Sequence, residues 1–142
     1  MHDAGRALGL GFDLTEEQRL AYASARELAY ERLLPGAAER DEHERFPVEH
    51  LPALAELGLL AMKVRPEDGG SGIDNVGYVL AMSAIAEADA SVAVILASSN
   101  LATKILGDCA TPEQRDRWLR PYAEGRLGPA SFALTEPHAG SD

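Results

Sequence analysis

The chain has 142 residues, of which 46% are apolar, and this is enough for one domain with a hydrophobic core. Asp and Glu number 23 against 13 Lys and Arg, which gives a formal net charge of -10. A surface with that charge repels phosphate backbones, so the composition argues against a nucleic acid partner.

The cysteine content and the first residues exclude other classes. Cys109 is the single cysteine, so the sequence has neither an internal disulfide nor a cysteine cluster for zinc, which fits a cytoplasmic location. Residues 1–12 have no long apolar core behind a basic flank, and they are predicted to be a flexible terminus. Polar residues interrupt the longest apolar tract, residues 76–106, so no membrane span is predicted.

The first predicted helix begins at Thr15. Its hydroxyl can cap the helix, and Gln18 can complete a capping box. Apolar residues recur at helical spacing up to Pro35, which is predicted to end this helix and to start a short polar one that continues to Glu44.

The segment from Phe46 to Gly58 predicts a further helix, because its leucines share one face and Gly58 can adopt the left-handed conformation that ends a helix. The apolar residues that follow, up to Val64, are predicted to be extended. The sequence RPEDGGSG, residues 65–72, contains three glycines and a proline and predicts a loop.

Two buried helices are predicted after this loop. Asp74 or Asn75 caps the first, which runs to about Ala88. Ser91 caps the second, which runs to about Leu106.

The last helix is marked by a second capping box, which begins at Thr111, and Pro121 inside the pattern predicts a kink or an early end. After Gly128 the period changes. Phe132 and Leu134 alternate with small or polar residues, which predicts a strand.

Together these patterns predict an all-α fold class. A small bundle of about five to six helices occupies residues 13–128. Residues 129–142 are predicted to be the first strand of a β-domain whose remainder is missing. We expect residues 1–12 to stand outside both.

The end of the chain carries the most specific motif, TEPHAGSD, from Thr135 to Asp142. It presents a hydroxyl, a rigid bend and then a loop of small residues whose amides can approach an anion such as a pyrophosphate. It stands within SFALTEPHAGSD, and four blocks precede it in order: LTEEQ, LAELGLLAMKVRPEDGGSG, VLAMSAIAEADASVAV and TPEQRDRWLRPYAEGRLG. Over about residues 13–142 the chain thereby resembles the acyl-CoA dehydrogenase family.

This resemblance implies a helical N-terminal domain, a middle β-domain and a C-terminal four-helix bundle, with FAD held between them and across a subunit contact. It implies that a carboxylate removes the α-proton of an acyl-CoA thioester while a hydride leaves the β-carbon for the flavin. The family's glutamate base belongs to the C-terminal part, and no position here corresponds to it. We therefore expect the 142-residue chain alone to be inactive.

The resemblance also implies partners. Acyl-CoA is the implied substrate, an electron-transfer flavoprotein is the implied electron acceptor, and a homodimer or homotetramer is the implied assembly of the full-length protein.

Position by position, the resemblance implies that Phe132, Leu134 and Thr135 lie beside the flavin ring, with Thr135 hydrogen-bonded to its polar edge. Gly140 and Ser141 would approach the FAD pyrophosphate, and Ser141 would also lie near the CoA arm. Such contacts orient the cofactor and adjust its electron demand.

The helix from Ser91 to Leu106 corresponds to a helix that lines the acyl pocket in the family. Val94, Ala97 and Leu101 are therefore candidates for contact with the acyl chain of the substrate. Packing against neighbouring helices is the alternative, and for any one of the three it is favoured.

Two positions depart from the usual pattern of the family. Asp68 stands where an aromatic residue usually precedes the Gly-Gly pair, so the loop is expected to dock differently. His138 stands where glycine is more common, and a solvent-facing role is favoured over contact with a phosphate. Glu136 is expected to have a structural rather than a catalytic role.

Two other groups of side chains are assigned no chemistry. The carboxylates around His43, in the run DEHE, favour a solvated helix face over a metal site. Cys109 has no histidine nearby in sequence, which favours packing over nucleophilic catalysis.

Two alternative functions stay open at this stage. One is a stand-alone helical module of the same fold that binds a partner protein through its exposed faces. The other is a related flavoprotein such as an acyl-CoA oxidase, which the residues do not separate from a dehydrogenase. The TEPHAGSD ending disfavours the monooxygenase relatives, and the acidic charge disfavours those linked to DNA.

Overall fold

The computed structural model describes residues 13–140, and their fold is all-α, as predicted. The predicted flexible terminus, residues 1–12, lies outside the described residues, as do Ser141 and Asp142. The helices are α1 (Glu16–Leu28), α2 (Leu34–Glu42), α3 (Leu51–Glu56), α4 (Asn75–Ala88), α5 (Ala90–Cys109), α6 (Pro112–Gln114) and α7 (Arg120–Ala123). Short 3-10 turns lie at Val48–His50, Leu59–Ala61 and Pro66–Asp68.

Two π turns make α1 continuous with α2 and α6 continuous with α7. The first, Ala29–Leu33, ends two residues before Pro35, and the N–H of Leu34 donates to the first carbonyl of the turn. The second, Arg115–Leu119, has the same relation to Pro121. Pro35 therefore does not end the first helix as predicted, because the π turn shifts the hydrogen bonds just before the residue that has no N–H to donate.

Three of the predicted helix caps are confirmed. Thr15 and Thr111 each form a complete capping box with the glutamine three residues later. The carboxylate of Asp74 accepts a hydrogen bond from the N–H of Gly77 at 2.7 Å. These side chains satisfy amides that a helix start otherwise leaves free.

The predicted cap of α5 is wrong by two residues. Asp89, not Ser91, accepts the N–H of Val92 at 3.0 Å, and its own backbone is extended. A carboxylate beside the positive end of the helix dipole is stabilised there, and Asp89 also has a buried arginine partner, described below. The helix therefore begins at Ala90.

The hydrophobic core lies between α1, α4 and α5 and is closed by the segment after α3. Gly58 has the predicted left-handed conformation, with φ of 68°. The residues after it are not extended as predicted. They form a 3-10 turn, Leu59–Ala61, because a compact turn lets consecutive apolar side chains all point inward. The most deeply buried of this segment are Leu59, Leu60, Ala61, Met62 and Val64.

Of the helices in the described part of the chain, α5 alone is long and apolar enough to cross a membrane by length and composition. Its inward face, however, packs in the core of the domain and carries three buried polar residues. These residues are Ser99, Asn100 and Thr103, and each makes hydrogen bonds within the domain.

The predicted strand after Gly128 is not formed by the described residues. Residues 129–135 have no regular secondary structure, and an isolated antiparallel bridge joins Glu136 and Ala139. A strand is defined by its ladder with a neighbour, and residues 13–140 supply no neighbouring strand. The segment nevertheless has a fixed point on the core, which is described below.

Candidate functional site

The residues that sequence analysis assigns to the flavin lie on one exposed segment, residues 131–140. Phe132 is 44% exposed and Leu134 is 69% exposed, although both are apolar. Thr135 and Gly140 are exposed as well. Ser141, the fifth of the predicted cofactor residues, lies outside the described residues.

The backbone of this segment is available for hydrogen bonds. Within the described chain, no backbone group of residues 131–135 makes a backbone hydrogen bond. Glu136 and Ala139 then close a tight turn, with N–H to carbonyl distances of 2.9 Å and 3.3 Å. Glu136 takes part in this turn through its backbone. The side chains of Glu136 and His138 are both exposed.

This segment fits one wall of an FAD site. An isoalloxazine ring needs apolar side chains against its face and hydrogen-bonding groups at its edge, and Phe132, Leu134 and the backbone around Thr135 offer both. At Gly140, an added Cβ would meet no other atom within 4 Å, so the backbone there is open to close approach by a ligand.

The predicted acyl-contact residues form an exposed stripe on α5. Val94 is 68% exposed, Leu101 is 51% exposed, and Ala97 between them is also exposed. They follow a helical spacing of three and four residues, so they share one face. Helix packing, the alternative considered for them, is not their role among the described residues, and contact with an acyl chain stays a prediction.

A cavity of about 450 Å³ adjoins this stripe at Val94. No pattern in the sequence predicts its apolar walls, because Phe46 and Pro47 belong to a short connection after α2 and follow no helical period. The cavity is lined by Phe46, Pro47, Ser91, Val94 and Ile95, with the charged residues Arg40, Asp41, Glu44, Arg45 and Asp89 around them.

Between the two exposed surfaces lies a small buried polar contact. The hydroxyl of Ser99, on α5, donates to the carbonyl of Ala130 at 3.3 Å. The Tyr122 hydroxyl is buried beside the Ser99 hydroxyl and the backbone of Ala130 but completes no hydrogen bond with the described residues. Burial raises the pKa of Tyr122 above its ordinary value.

A buried amide fixes α5 to the 3-10 turn after Gly58. The side-chain oxygen of Asn100 accepts the N–H of Met62 at 2.7 Å, and its amide nitrogen donates to the carbonyls of Leu59 and Leu96, both at 2.9 Å. Asn100 therefore satisfies backbone groups that the turn would otherwise bury without partners. The sequence offered no signal for this role, because an asparagine in a helical pattern is equally compatible with a surface position.

The helix pair α4 and α5 is joined by a corner that holds a buried ion pair. Arg40, from α2, contacts the carboxylate of Asp89 through Nη2 at 2.7 Å and through Nε at 3.2 Å, and both residues are 6% exposed. Arg40 also donates to the carbonyl of Leu33 and lies 3.1 Å from Nε2 of His50. Burial, and secondarily the charge of Arg40, lowers the pKa of His50 below its ordinary value.

Asp68 shows how the glycine loop docks without the aromatic residue that is usual in the family. Its carboxylate is buried and forms ion pairs with Arg65 at 2.6 Å and with Arg115 at 3.3 Å. Arg120 adds a hydrogen bond to the carbonyl of Glu67 at 2.5 Å. Charged pairs therefore attach this loop to the α6–α7 unit.

Comparisons with known proteins agree with this geometry. Residues 15–126 match the family model described as "Acyl-CoA dehydrogenase, N-terminal domain". A short-chain specific acyl-CoA dehydrogenase of Clostridium acetobutylicum is 36% identical over 135 residues, which is 94% of this chain and 35% of the relative.

Solved structures show the same fold. A chain described as the electron transferring flavoprotein of Acidaminococcus fermentans matches 92% of this chain and 34% of its own length, with a TM-score of 0.82 and 32% identity. A glutaryl-CoA dehydrogenase of Mycobacterium smegmatis in complex with FADH2 matches 91% of this chain and 33% of its own, with a TM-score of 0.79 and 27% identity. The chain spans about a third of the length of these proteins. It belongs to the acyl-CoA dehydrogenase family, to whose N-terminal domain residues 15–126 correspond.

Proposed function

We propose that this chain is the N-terminal part of an FAD-dependent acyl-CoA dehydrogenase, which catalyses α,β-dehydrogenation of acyl-CoA thioesters. The observation that carries the proposal is the exposure of two apolar surfaces, which are the two that the resemblance assigns to ligands. One is the segment with Phe132 and Leu134, and the other is the stripe with Val94 and Leu101. Apolar side chains that lie together and are exposed mark a region that binds a ligand or another part of a protein.

The two surfaces have different tasks in this proposal. The segment 131–140 packs apolar side chains against the flavin and offers backbone groups and the Thr135 hydroxyl to its polar edge. By resemblance, Gly140 and Ser141 would approach its pyrophosphate, and Ser141 would also lie near the CoA arm. When bound, FAD accepts the hydride that leaves the β-carbon of the substrate.

The stripe on α5 binds the acyl chain and excludes water from it. Val94, Ala97 and Leu101 have no polar side-chain atoms. Their contact with an alkyl chain is therefore favourable, and none of them can act as a base toward the substrate. No side chain in these surfaces serves as the catalytic base. By resemblance that glutamate belongs to the C-terminal part of such an enzyme.

The substrate and partners of the proposed enzyme follow from the relatives. The names of the relatives in Clostridium and Mycobacterium support an acyl-CoA substrate, and the flavoprotein from Acidaminococcus supports electron transfer to such a partner. Assembly as a homodimer or homotetramer and a cytoplasmic location are part of the same proposal.

Titration of the isotope-labelled 142-residue chain with FAD, followed by nuclear magnetic resonance, tests the flavin wall even when binding is weak. The amide chemical shift changes are expected to be concentrated in residues 131–140. The dissociation constant for FAD should rise at least tenfold in Leu134→Asp, because this variant places a charge against the flavin. Leu20→Asp is the matched control, because Leu20 is also an exposed leucine, at 64%. Shifts that are absent at millimolar FAD, or equal effects of the two variants, would contradict the proposal and favour the interaction module.

Addition of butyryl-CoA and an artificial electron acceptor to the same sample tests the location of the base. No turnover is expected, because by resemblance the glutamate that removes the α-proton belongs to the C-terminal part of such an enzyme. Turnover by these 142 residues alone would contradict that part of the proposal.

A further inference from the structure

We propose that Ser99, together with the buried hydroxyl of Tyr122, is a positioning residue that anchors the flavin-contacting segment to α5 at Ala130. The inference rests on the proposed function, because it assigns the anchor to the segment that holds the flavin. It goes beyond that function by naming the contact that sets the distance between the segment 131–140 and the stripe on α5.

The first observation is where the segment leaves the core. Ala130 is partly buried and packs against the hydrophobic core, whereas every residue from 131 to 138 is exposed. Ala130 is thus the last point at which the domain holds the chain before the predicted flavin residues begin. Whatever fixes Ala130 also fixes the starting position of Phe132 and Leu134.

The second observation is the polar contact at this point. Ser99 is fully buried and its hydroxyl donates to the carbonyl of Ala130, while Tyr122 is 4% exposed and its hydroxyl lies beside Ser99 and the backbone of Ala130. A buried hydroxyl without a good hydrogen bond costs free energy, so Phe would suit the packing at position 122 better than Tyr. Ser99 therefore holds the backbone of Ala130 by a hydrogen bond, and Tyr122 encloses the same point.

The third observation is the position of Ser99 on α5. It lies two residues after Ala97 and two residues before Leu101, on the opposite, buried face of the same helix. One hydrogen bond therefore ties the start of the flavin segment to the helix that carries the acyl stripe. Hydride transfer requires the reacting atoms within about 3–3.5 Å, so a shift of this segment along α5 would weaken it.

Backbone order at Ala130, measured by nitrogen-15 relaxation on the 142-residue chain, tests the anchor. The order parameter of Ala130 is expected to be near 0.85 in the wild-type chain, to fall in Ser99→Ala, and to fall below about 0.6 in Ser99→Ala/Tyr122→Phe, because each single variant keeps one hydroxyl beside Ala130. The Tm of the single Ser99→Ala variant should fall by no more than about 5 °C. A role confined to stability would lower Tm and leave the local order unchanged.

Ser98→Ala and Tyr78→Phe are the matched controls, because both are half-buried and neither hydroxyl hydrogen-bonds to Ala130. Neither should change the order parameter of Ala130. Where the double variant does not fold, Ser99→Ala alone decides the outcome.

The proposal would be overturned by a wild-type order parameter already below about 0.6, or by an order unchanged in both Ser99→Ala and the double variant. Its failure is distinguishable from failure of the proposed function, since the relaxation measurement needs no FAD. Where the chain does bind FAD, the dissociation constant should rise at least threefold in Ser99→Ala and remain unchanged in Ser98→Ala.

Discussion

Replacement of Arg40 with methionine is expected to destabilise the fold strongly, because it leaves the carboxylate of Asp89 buried without its partner. The guanidinium makes two contacts with that carboxylate, at 2.7 Å and 3.2 Å, and donates to the carbonyl of Leu33 as well. Methionine fills a similar volume, so the loss is electrostatic rather than a cavity.

The magnitude follows from the burial of the pair. Both residues are 6% exposed, so solvent cannot replace the lost charge. Removal of one partner of such a pair costs about 3–5 kcal/mol. Asp89 keeps its hydrogen bond to the N–H of Val92, which places the expected loss toward the lower end of that range. With a urea slope of about 2 kcal/mol/M, the midpoint of unfolding falls by about 1.5–2.5 M.

Urea unfolding at pH 7.5, followed by circular dichroism, measures this loss. Arg45→Met is the matched control, because the Arg45 side chain is 47% exposed and its ion pairs with Glu39 and Glu49 are at the surface, where they contribute less than about 1 kcal/mol. Arg40→Met/Asp89→Asn should recover part of the loss, since asparagine still caps α5 without a charge. A loss below about 1 kcal/mol in Arg40→Met, or a double variant less stable than Arg40→Met, would refute the reasoning.

Two further predictions concern the glycine loop and histidine titration. Gly70→Ala should cost about 1–3 kcal/mol in thermal unfolding, because its Cβ would lie 2.3 Å from the carbonyl oxygen of Val64, whereas Gly128→Ala, with no atom within 4 Å, should be neutral. The stability of the chain should fall as pH drops below about 6.5, because the unfolded chain then binds a proton that folded His50, with its lowered pKa, does not bind. His50→Gln should make the free energy of unfolding less dependent on pH, and His43→Gln, at an exposed position, should not. An equal pH dependence in the two variants would contradict the role given to His50.

The sequence predicted those parts of the fold that depend on local chemistry. Capping boxes at Thr15 and Thr111 require only residues three positions apart, and the left-handed turn at Gly58 requires only the absence of a side chain. Such signals are complete within a few residues, so no tertiary information is needed to recognise them. The all-α class followed from them.

The errors arose where distant residues decide the local structure. The cap at Asp89 depends on Arg40, which lies 49 positions away in sequence. The 3-10 turn at Leu59 depends on the amide of Asn100, 41 positions away. A pattern confined to neighbouring residues cannot contain these partners, and the same holds for the apolar cavity beside Val94.

The site was predicted as a set of positions, and its surroundings were not. The exposure of Leu134 and of the α5 stripe agrees with the roles that the resemblance implied, but those roles stay predictions. The contact between Ser99 and Ala130 had no sequence signal, because a serine in a predicted helix and an alanine in a predicted strand are both common.

The two π turns have a consequence for how this domain can vary in length. Each turn adds one residue to a helix, and a single residue corresponds to about 100° of helix rotation. Deletion of one residue from Ala29–Leu33 would thus rotate Arg40 away from Asp89 while leaving the sequence pattern of α1 intact. Single-residue insertions and deletions are therefore expected to be tolerated in the loops of this domain. They should destabilise it just before Pro35 and Pro121, where they would rotate one half of a continuous helix relative to the other.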